Sequence, residues 1–413
     1  MAVVRGFKAI RPNEKYADKV VSLPYDVMNR QEAAKMAEGN PYSFLHICRA
    51  EIDLPDMEDP YDRKVYEKAK SNIEENLKSG VFLQEEKPVL FIYRQIMNGR
   101  EQTGIVGCVS VDDYINNVIK KHEHTRVEKE IDRINHFDVC DANTEPVFLT
   151  YRNQEEINEI VGSWIKDHNP IYDIQTGDGI KHILWLVNEN QVIEKISNLF
   201  DKIPSLYIAD GHHRSASACK VGLKRREEHP DYTGEEEFNF FMAVIFPDKD
   251  LRIFDYNRVV KDLNGRTEEE FLKQVKEAGF QVENKGKTPY YPENKLDFGM
   301  YLDGSWYKLT AGKELVPDHV IDSLDVSILQ NNILNPILGI QDPRTDKRID
   351  FVGGIRGLGE LERRVKTDMK VAFAVHPVEI SDLINVSDNG MVMPPKSTWF
   401  EPKLGSGLFI HKL

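Results

Sequence analysis

The sequence predicts an α/β protein with mixed sheets, α+β in character, and three observations carry that expectation. Short apolar runs with strand patterning alternate along the chain with amphipathic stretches of helical spacing. One tight Asn-Gly turn, Asn98-Gly99, joins two such runs as a hairpin, which is an antiparallel feature. Near the middle, an apolar run, Ser205–Ala209, passes through a glycine turn directly into a helix, which is an α/β feature. At 413 residues the chain exceeds what one hydrophobic core usually supports. Three lobes are expected: an N-terminal lobe over 1–150, a central core over 151–262 and a C-terminal lobe with a closing tail loop over 263–413.

The elements follow in order. Phe7–Pro12 reads as a short strand ending at the proline, and Ser22–Val27 as a structured loop before a helix near Gln31–Gly39. Asp59-Pro60 has the chemistry of a helix start, with Gly80 as the stop. Val89–Arg94 and Thr103–Ser110 are the hairpin strands, and Glu145–Tyr151 is a further strand. Glu155–Asp167 is a helix with Ile157, Ile160, Val161 and Trp164 on one face. Lys181–Val187 is a strand and Asn188–Phe200 a helix. After the central turn a helix runs to about Glu228. Phe238–Phe246 and Leu251–Tyr256 are expected to form a second hairpin. Thr267–Ala278 is a helix, followed by strands near Asp297–Leu302 and Trp306–Leu309. Ser323–Leu334 is a helix, Val371–Val375 a buried strand and Val378–Asn385 a helix. The stretch Phe351–Gly359 matches no phosphate-loop pattern and reads as a mobile loop or tight turn. The tail from Met393 holds too much Pro and Gly for regular structure.

Charge narrows the functional classes. The net charge of −14 repels nucleic-acid phosphates, so no nucleic-acid partner is expected, while a local pocket for a small anion remains compatible. Cys48, Cys108, Cys140 and Cys219 form no C-x-x-C pair and read as buried free thiols of a reducing compartment. No run reaches the ~18 apolar residues of a membrane span. The N-terminus lacks a signal-peptide core, so a cytoplasmic protein is expected.

The chemistry concentrates at Asp210-Gly211-His212-His213-Arg214. A helix beginning at a glycine turn offers unpaired N–H groups and a positive dipole end to an anion. Arg214 adds a forked donor, His212 and His213 add donors or proton carriers, and Asp210 is placed as a base or a magnesium ligand. The plain alternative is an Asp cap beside two surface histidines. A second polar segment holds His122, Glu123, His124, Thr125 and Arg126, then Asp132 and Arg133. It lacks the second histidine that a zinc-protease helix requires, and reads either as an active-site segment or as a solvated face. The third stretch, Lys396, Ser397, Thr398, Trp399, Phe400 and Lys403, suits a loop that closes over a ligand.

Taken together these motifs resemble a known family. The Asp-Gly-His-His-Arg turn is similar to the phosphate turn of the ParB/sulfiredoxin superfamily. Leu23-Pro-Tyr-Asp-Val, Asn40-Pro-Tyr-Ser-Phe-Leu, Lys121-His-Glu-His-Thr and Met393-Pro-Pro-Lys-Ser-Thr-Trp-Phe-Glu-Pro-Lys extend the likeness. They match a bacterial family carried as a domain of unknown function that is similar to the free serine kinases. The resemblance runs nearly end to end. It implies a ParB/sulfiredoxin-like core and transfer of a phosphoryl group from ATP or ADP, with Mg²⁺, to free L-serine. It places Gly211, His212, His213 and Arg214 at the phosphates, and Asp210, Glu123 and His212 in catalysis, with Asp210 also as the metal ligand. Lys396, Ser397, Thr398 and Lys403 are expected on the nucleotide. His122, Thr125, Arg126 and Arg133 are expected at the amino acid. A homodimer is left open. The other readings are a nucleotide-binding regulator of ParB type with little turnover, and a nuclease, against which the acidic charge counts.

Overall fold

The computed structural model describes residues 1–54 and 59–413. They form two compact units: Met1–Leu251 together with Pro402–Leu413, and Arg252–Glu401.

The first unit is built on a nine-stranded mixed sheet. Its strands are β1 (Val4–Arg5), β2 (Leu90–Met97), β3 (Arg100–Ser110), β4 (Ile119–Lys120), β5 (Val147–Tyr151), β6 (Tyr172–Gln175), β7 (Lys181–Val187), β8 (Leu206–Asp210) and β9 (Phe240–Pro247). The order across the sheet is β4-β8-β5-β9-β3-β2-β7-β6, with β1 paired to β3. The pairs β4–β8 and β5–β9 are parallel and the rest antiparallel. Asn98 and Gly99 take φ of 52° and 77°, the left-handed pair that a two-residue hairpin needs. Residue 150 falls within β5, so strands from both sides of that expected boundary share one sheet.

Around this sheet lie α1 (Arg30–Ala37), α2 (Arg63–Lys78), α3 (Val127–Cys140), α4 (Glu155–Asp167), α5 (Asn190–Phe200) and α6 (His212–Glu228). A capping box of Asn29 and Glu32 starts α1. The helix expected from Asp59-Pro60 begins later, at Arg63, because Asp62 supplies the cap to the Lys64 N–H. Helix α6 carries the central motif and packs on α3, where the Ser217 hydroxyl donates to the Glu130 carbonyl at 3.0 Å. Residues 402–413 return to this unit: Ile410 pairs with Ile10, and His411–Lys412 with Ala142–Asn143.

The second unit holds a six-stranded sheet of β10 (Tyr256–Val260), β11 (Phe280–Gly286), β12 (Asp297–Leu302), β13 (Ser305–Ala311), β14 (Ile349–Gly353) and β15 (Val371–Val375). Its order is β11-β13-β12-β15-β10-β14. The helices are α7 (Glu268–Glu277), α8 (Asp325–Leu329), α9 (Gly357–Thr367) and α10 (Ile380–Asp388).

Two expectations change here and one alternative is decided. The second hairpin does not form. Every residue of β9 is buried, so it is a central strand with β3 and β5 as neighbours, while Ile253–Phe254 pairs with Trp399–Phe400. The glycine-rich stretch takes the tight-turn alternative: β14 ends at Gly353, a 3-10 turn covers Gly354–Arg356 and α9 begins at Gly357. The helix expected over Ser323–Leu334 is the short α8 followed by a π-turn over Gln330–Leu334. Among the described residues no helix is long and apolar enough to cross a membrane.

Gly222 tests how tightly α6 is seated. A Cβ there would lie 2.5 Å from the Phe238 carbonyl oxygen. Gly222→Ala is therefore expected to destabilise the chain by about 1–3 kcal/mol through overpacking, read as a lower urea midpoint at constant m-value.

Candidate active site

The site begins with a break in register. Tyr207 and Ile208 of β8 face Thr150 and Leu149, but Asp210 faces Phe148, so Ala209 is an extra residue. A bulge of this kind re-aims the side chain that follows it. Gly211 comes next at φ 91° and starts α6. A Cβ on Gly211 would lie 3.0 Å from Arg214 Nε, so the guanidinium folds back over a position that must stay bare. The first N–H groups of α6 have no carbonyl one turn back inside the helix to bond.

The Asp210 carboxylate is held from three sides. Gly211 N–H donates to Oδ1 at 2.9 Å. Lys403 Nζ lies 3.4 Å and Arg214 Nη2 3.6 Å from Oδ2. Burial opposes the charged form, but Lys403 and Arg214 outweigh it and keep the carboxyl well below its ordinary range. Arg214 is itself buried, and its Nη1 donates to the Pro146 carbonyl. It therefore lends charge from beneath the turn rather than a free fork.

Two histidines lie against this group. The His122 and His212 rings meet edge to face with centroids 4.5 Å apart. Burial pushes His122 down to about 4, and burial with the neighbouring His122 pushes His212 well below its ordinary value. Both rings are neutral at pH 7. His212 Nε2 is buried without a hydrogen-bond partner among the described residues. His212 Nδ1 lies 3.8 Å from Glu123 Oε2, whose side chain is 49% exposed. His213 Nε2 accepts the Arg126 N–H at 2.9 Å, and burial lowers its pKa.

Asp210, Gly211, His212, Arg214, His122, Glu123 and Lys403 thus come together, with His213 and Arg126 beside them. The other expected residues have partners of their own. The Thr125 hydroxyl donates to Glu130 at 2.7 Å. Arg133 is buried against Asp132 at 3.0 Å and over the Tyr25 ring at 4.0 Å, so it is committed inside the fold. Lys396, Ser397 and Thr398 belong to the second unit. There Lys396 Nζ lies 5.4 Å over the Tyr256 ring, and the Ser397 hydroxyl donates to the Pro394 carbonyl at 2.6 Å.

Sequence reasoning missed Glu145. It is fully buried, and burial raises its pKa. It accepts the Ser406 hydroxyl at 2.7 Å and the Tyr25 N–H at 3.3 Å. Glu145 and Asp26 both act on Arg214. The available signals were a glutamate opening an apolar strand and Asp26 in the Leu23-Pro-Tyr-Asp-Val motif.

As a metal centre the arrangement is poor. Among the described residues no group of three or more His, Cys, Asp and Glu is placed to hold a metal ion. Asp210 is already enclosed by two cations. Magnesium is usually held by one or two carboxylates, substrate phosphates and water rather than by an all-protein cage.

Fold and site define an α+β protein with a glycine turn at a helix start, where Lys403 and Arg214 flank Asp210. The family model described as protein of unknown function (DUF1015) matches residues 4–327, and the chain belongs to that family. No curated protein matches it. Among solved structures, the chain is similar to a variant of a free serine kinase in complex with AMP. The identity is 13% and the TM-score 0.38, over 73% of this chain and 91% of that one. SbnI with a C-terminal truncation, from Staphylococcus aureus, is 11% identical at TM-score 0.39, over 72% and 84% of the two chains. A conserved hypothetical protein from Pyrococcus furiosus is 14% identical at TM-score 0.34, over 73% and 94%.

Two predictions follow from the geometry. Gly211→Ala forces a left-handed alanine against Arg214 and is expected to cost about 1–2 kcal/mol, seen as a lower melting temperature. The second concerns acid. In the unfolded chain His122 takes a proton near its ordinary value, and in the folded chain only near 4. The unfolded state therefore binds more protons between those values, and stability falls as pH drops through that window. Melting curves of His122→Gln are expected to fall less steeply over that window than those of the unsubstituted protein.

Proposed function

We propose that this protein transfers a phosphoryl group from ATP or ADP to the hydroxyl of free L-serine, giving O-phosphoserine. One observation carries the proposal: at a single helix start, Lys403 and Arg214 flank Asp210 while the half-exposed carboxylate of Glu123 lies 3.8 Å from His212. Phosphoryl transfer needs positioning and neutralised charge more than covalent help. Serine as acceptor rests on the motif resemblance.

In this reading the polyphosphate lies on the first N–H groups of α6, with the Lys403 ammonium beside it and the Arg214 charge below. Glu123 takes the proton of the serine hydroxyl as the new P–O bond forms and the nucleotide oxygen leaves with its electron pair. Neutral His212 backs Glu123 through Nδ1 and leaves it room to accept a proton. Asp210, held ionised by two cations, is a weak base and serves to place Lys403 and Arg214. Arg126, next to His213, is the arginine left to meet the serine carboxylate, since Arg133 is committed to Asp132. Mg²⁺ arrives with the nucleotide.

The test is direct. Purified protein, L-serine and Mg²⁺ are mixed with ATP or ADP, and O-phosphoserine is sought by mass spectrometry. Product with one donor is expected. Glu123→Gln is expected to lower turnover by about 10²–10⁴-fold with nucleotide affinity little changed. Asp210→Asn is expected to lose turnover while nucleotide binding stays measurable. Nucleotide binding without product from either donor would favour a regulator instead. Neither binding nor product would mean that the turn holds another anion.

A further inference from the structure

Asp325, at the start of α8 in the second unit, is 8% exposed. The Leu296 N–H lies 3.1 Å from each of its two carboxylate oxygens. That shared donor is its hydrogen-bond partner among the described residues, and no side chain there pairs with it. An ionised carboxylate has about four acceptor positions to fill. Asp297, buried nearby in the chain, has them filled: the Lys308 ammonium lies at 3.0 Å and the Thr310 hydroxyl donates at 2.6 Å. Lys295, next to Leu296, does not do this for Asp325. Its ammonium lies 2.9 Å from Asp382 and 3.3 Å from Glu379, both at the start of α10. Burial accordingly pushes the Asp325 carboxyl up to about 7.

Asp325 lines a cavity of about 270 Å³. Leu296, Val316, Leu324 and Val378 give it apolar walls, and Lys295 and Asp382 also line it. The cavity runs from solvent to a buried carboxylate, for the Lys295 and Asp382 side chains are 45% and 22% exposed. Its volume falls a little below the roughly 300–1,000 Å³ of pockets for drug-sized ligands, so it suits a smaller molecule. Leu296 itself takes φ 71°, a backbone conformation that a bulky residue rarely adopts. Such strain persists where the surroundings impose it, and it gathers at ligand sites.

The charges decide the kind of ligand. The lysine of the cavity is already shared between two carboxylates, so Asp325 is left as an unmatched acid. A cation therefore fits and an anion does not. A metal ion is disfavoured, since among the described residues no group of three or more His, Cys, Asp and Glu is placed to hold one. The apolar walls call for carbon.

We propose that Asp325 anchors a second binding site, which takes a small organic ammonium. The charged head lies on the Asp325 carboxylate and the carbon body against Leu296, Val316, Leu324 and Val378. A charge-assisted hydrogen bond of this kind is stronger than a neutral one, and more so out of water. The site lies wholly within the second unit and does not depend on the serine-kinase reading.

The test titrates n-butylammonium into the full chain and follows binding by saturation-transfer NMR. Butanol and butyrate serve as neutral and anionic counterparts at matched ionic strength. The ammonium is expected to bind with Kd of about 1 mM or tighter, within the ceiling for so small a ligand, and the counterparts are expected not to bind. Asp325→Asn keeps an oxygen for the Leu296 N–H and is expected to weaken binding about tenfold or more. Asp303→Asn removes the same charge from an exposed turn, where φ 46° suits asparagine, and is expected to leave binding unchanged. If Asp325→Asn does not fold, Val316→Trp, which fills the cavity from a half-buried position, is expected to block binding in its place. No binding of butylammonium, equal binding of butanol or butyrate, or equal affinities in Asp325→Asn and Asp303→Asn would overturn the site and leave Asp325 as the anchor of the Leu296 turn.

Discussion

The carboxylate of Asp210 is shared by two cations that reach it from different parts of the chain. Arg214 comes from the next helical turn, folded over a glycine that has no side chain to obstruct it. Lys403 comes from 193 residues further along. Its backbone is fixed where the tail re-enters the first unit: Gln95 donates to the Lys403 carbonyl at 2.7 Å, and the Gly405 N–H bonds the Tyr93 hydroxyl at 3.1 Å. The bulge at Ala209, the left-handed Gly211 and the returning tail are all needed to bring these three charges together. Each charge is partly withdrawn from water, where attraction is stronger and an unmatched partner costs more.

Around that ion cluster the remaining side chains are kept neutral or occupied. Burial holds His122 and His212 uncharged, so they add no repulsion against Lys403 and Arg214. Arg133 is absorbed by Asp132 and Tyr25, and Glu145 by Ser406 and the Tyr25 backbone. Glu123 is half exposed and lies 3.8 Å from the neutral His212, unlike the enclosed Asp210. The two carboxylates thus stand in different environments: Asp210 is enclosed by two cations, and Glu123 is half exposed beside a neutral histidine.

Local features were legible in the sequence. The helix over Glu155–Asp167, the strand over Lys181–Val187 and the strand–glycine–helix passage at Asp210 follow from periodicity and turn chemistry, which act over a few residues. Pairing over long separations was not legible. The run at Phe240–Pro247 is apolar on both faces, and its composition does not say that β3 and β5 flank it rather than the next run along. Gly353 and Gly354 read as part of a mobile loop or tight turn. Their bare backbones instead admit the Trp399 ring and the Asp255 carboxylate, contacts that only the folded chain brings about. Likewise an arginine in a phosphate-type motif does not reveal whether its fork faces solvent or, as for Arg214, a buried carbonyl.

In the proposed kinase Asp210 and Lys403 act as one unit in holding a polyphosphate. Calorimetric titration of ADP into the unsubstituted protein, Asp210→Asn, Lys403→Gln and the double variant measures that coupling. The account predicts weaker ADP binding in Lys403→Gln and a coupling of about 0.5–3 kcal/mol between the two positions. Additive effects, or ADP affinity unmoved by Lys403→Gln, would contradict it.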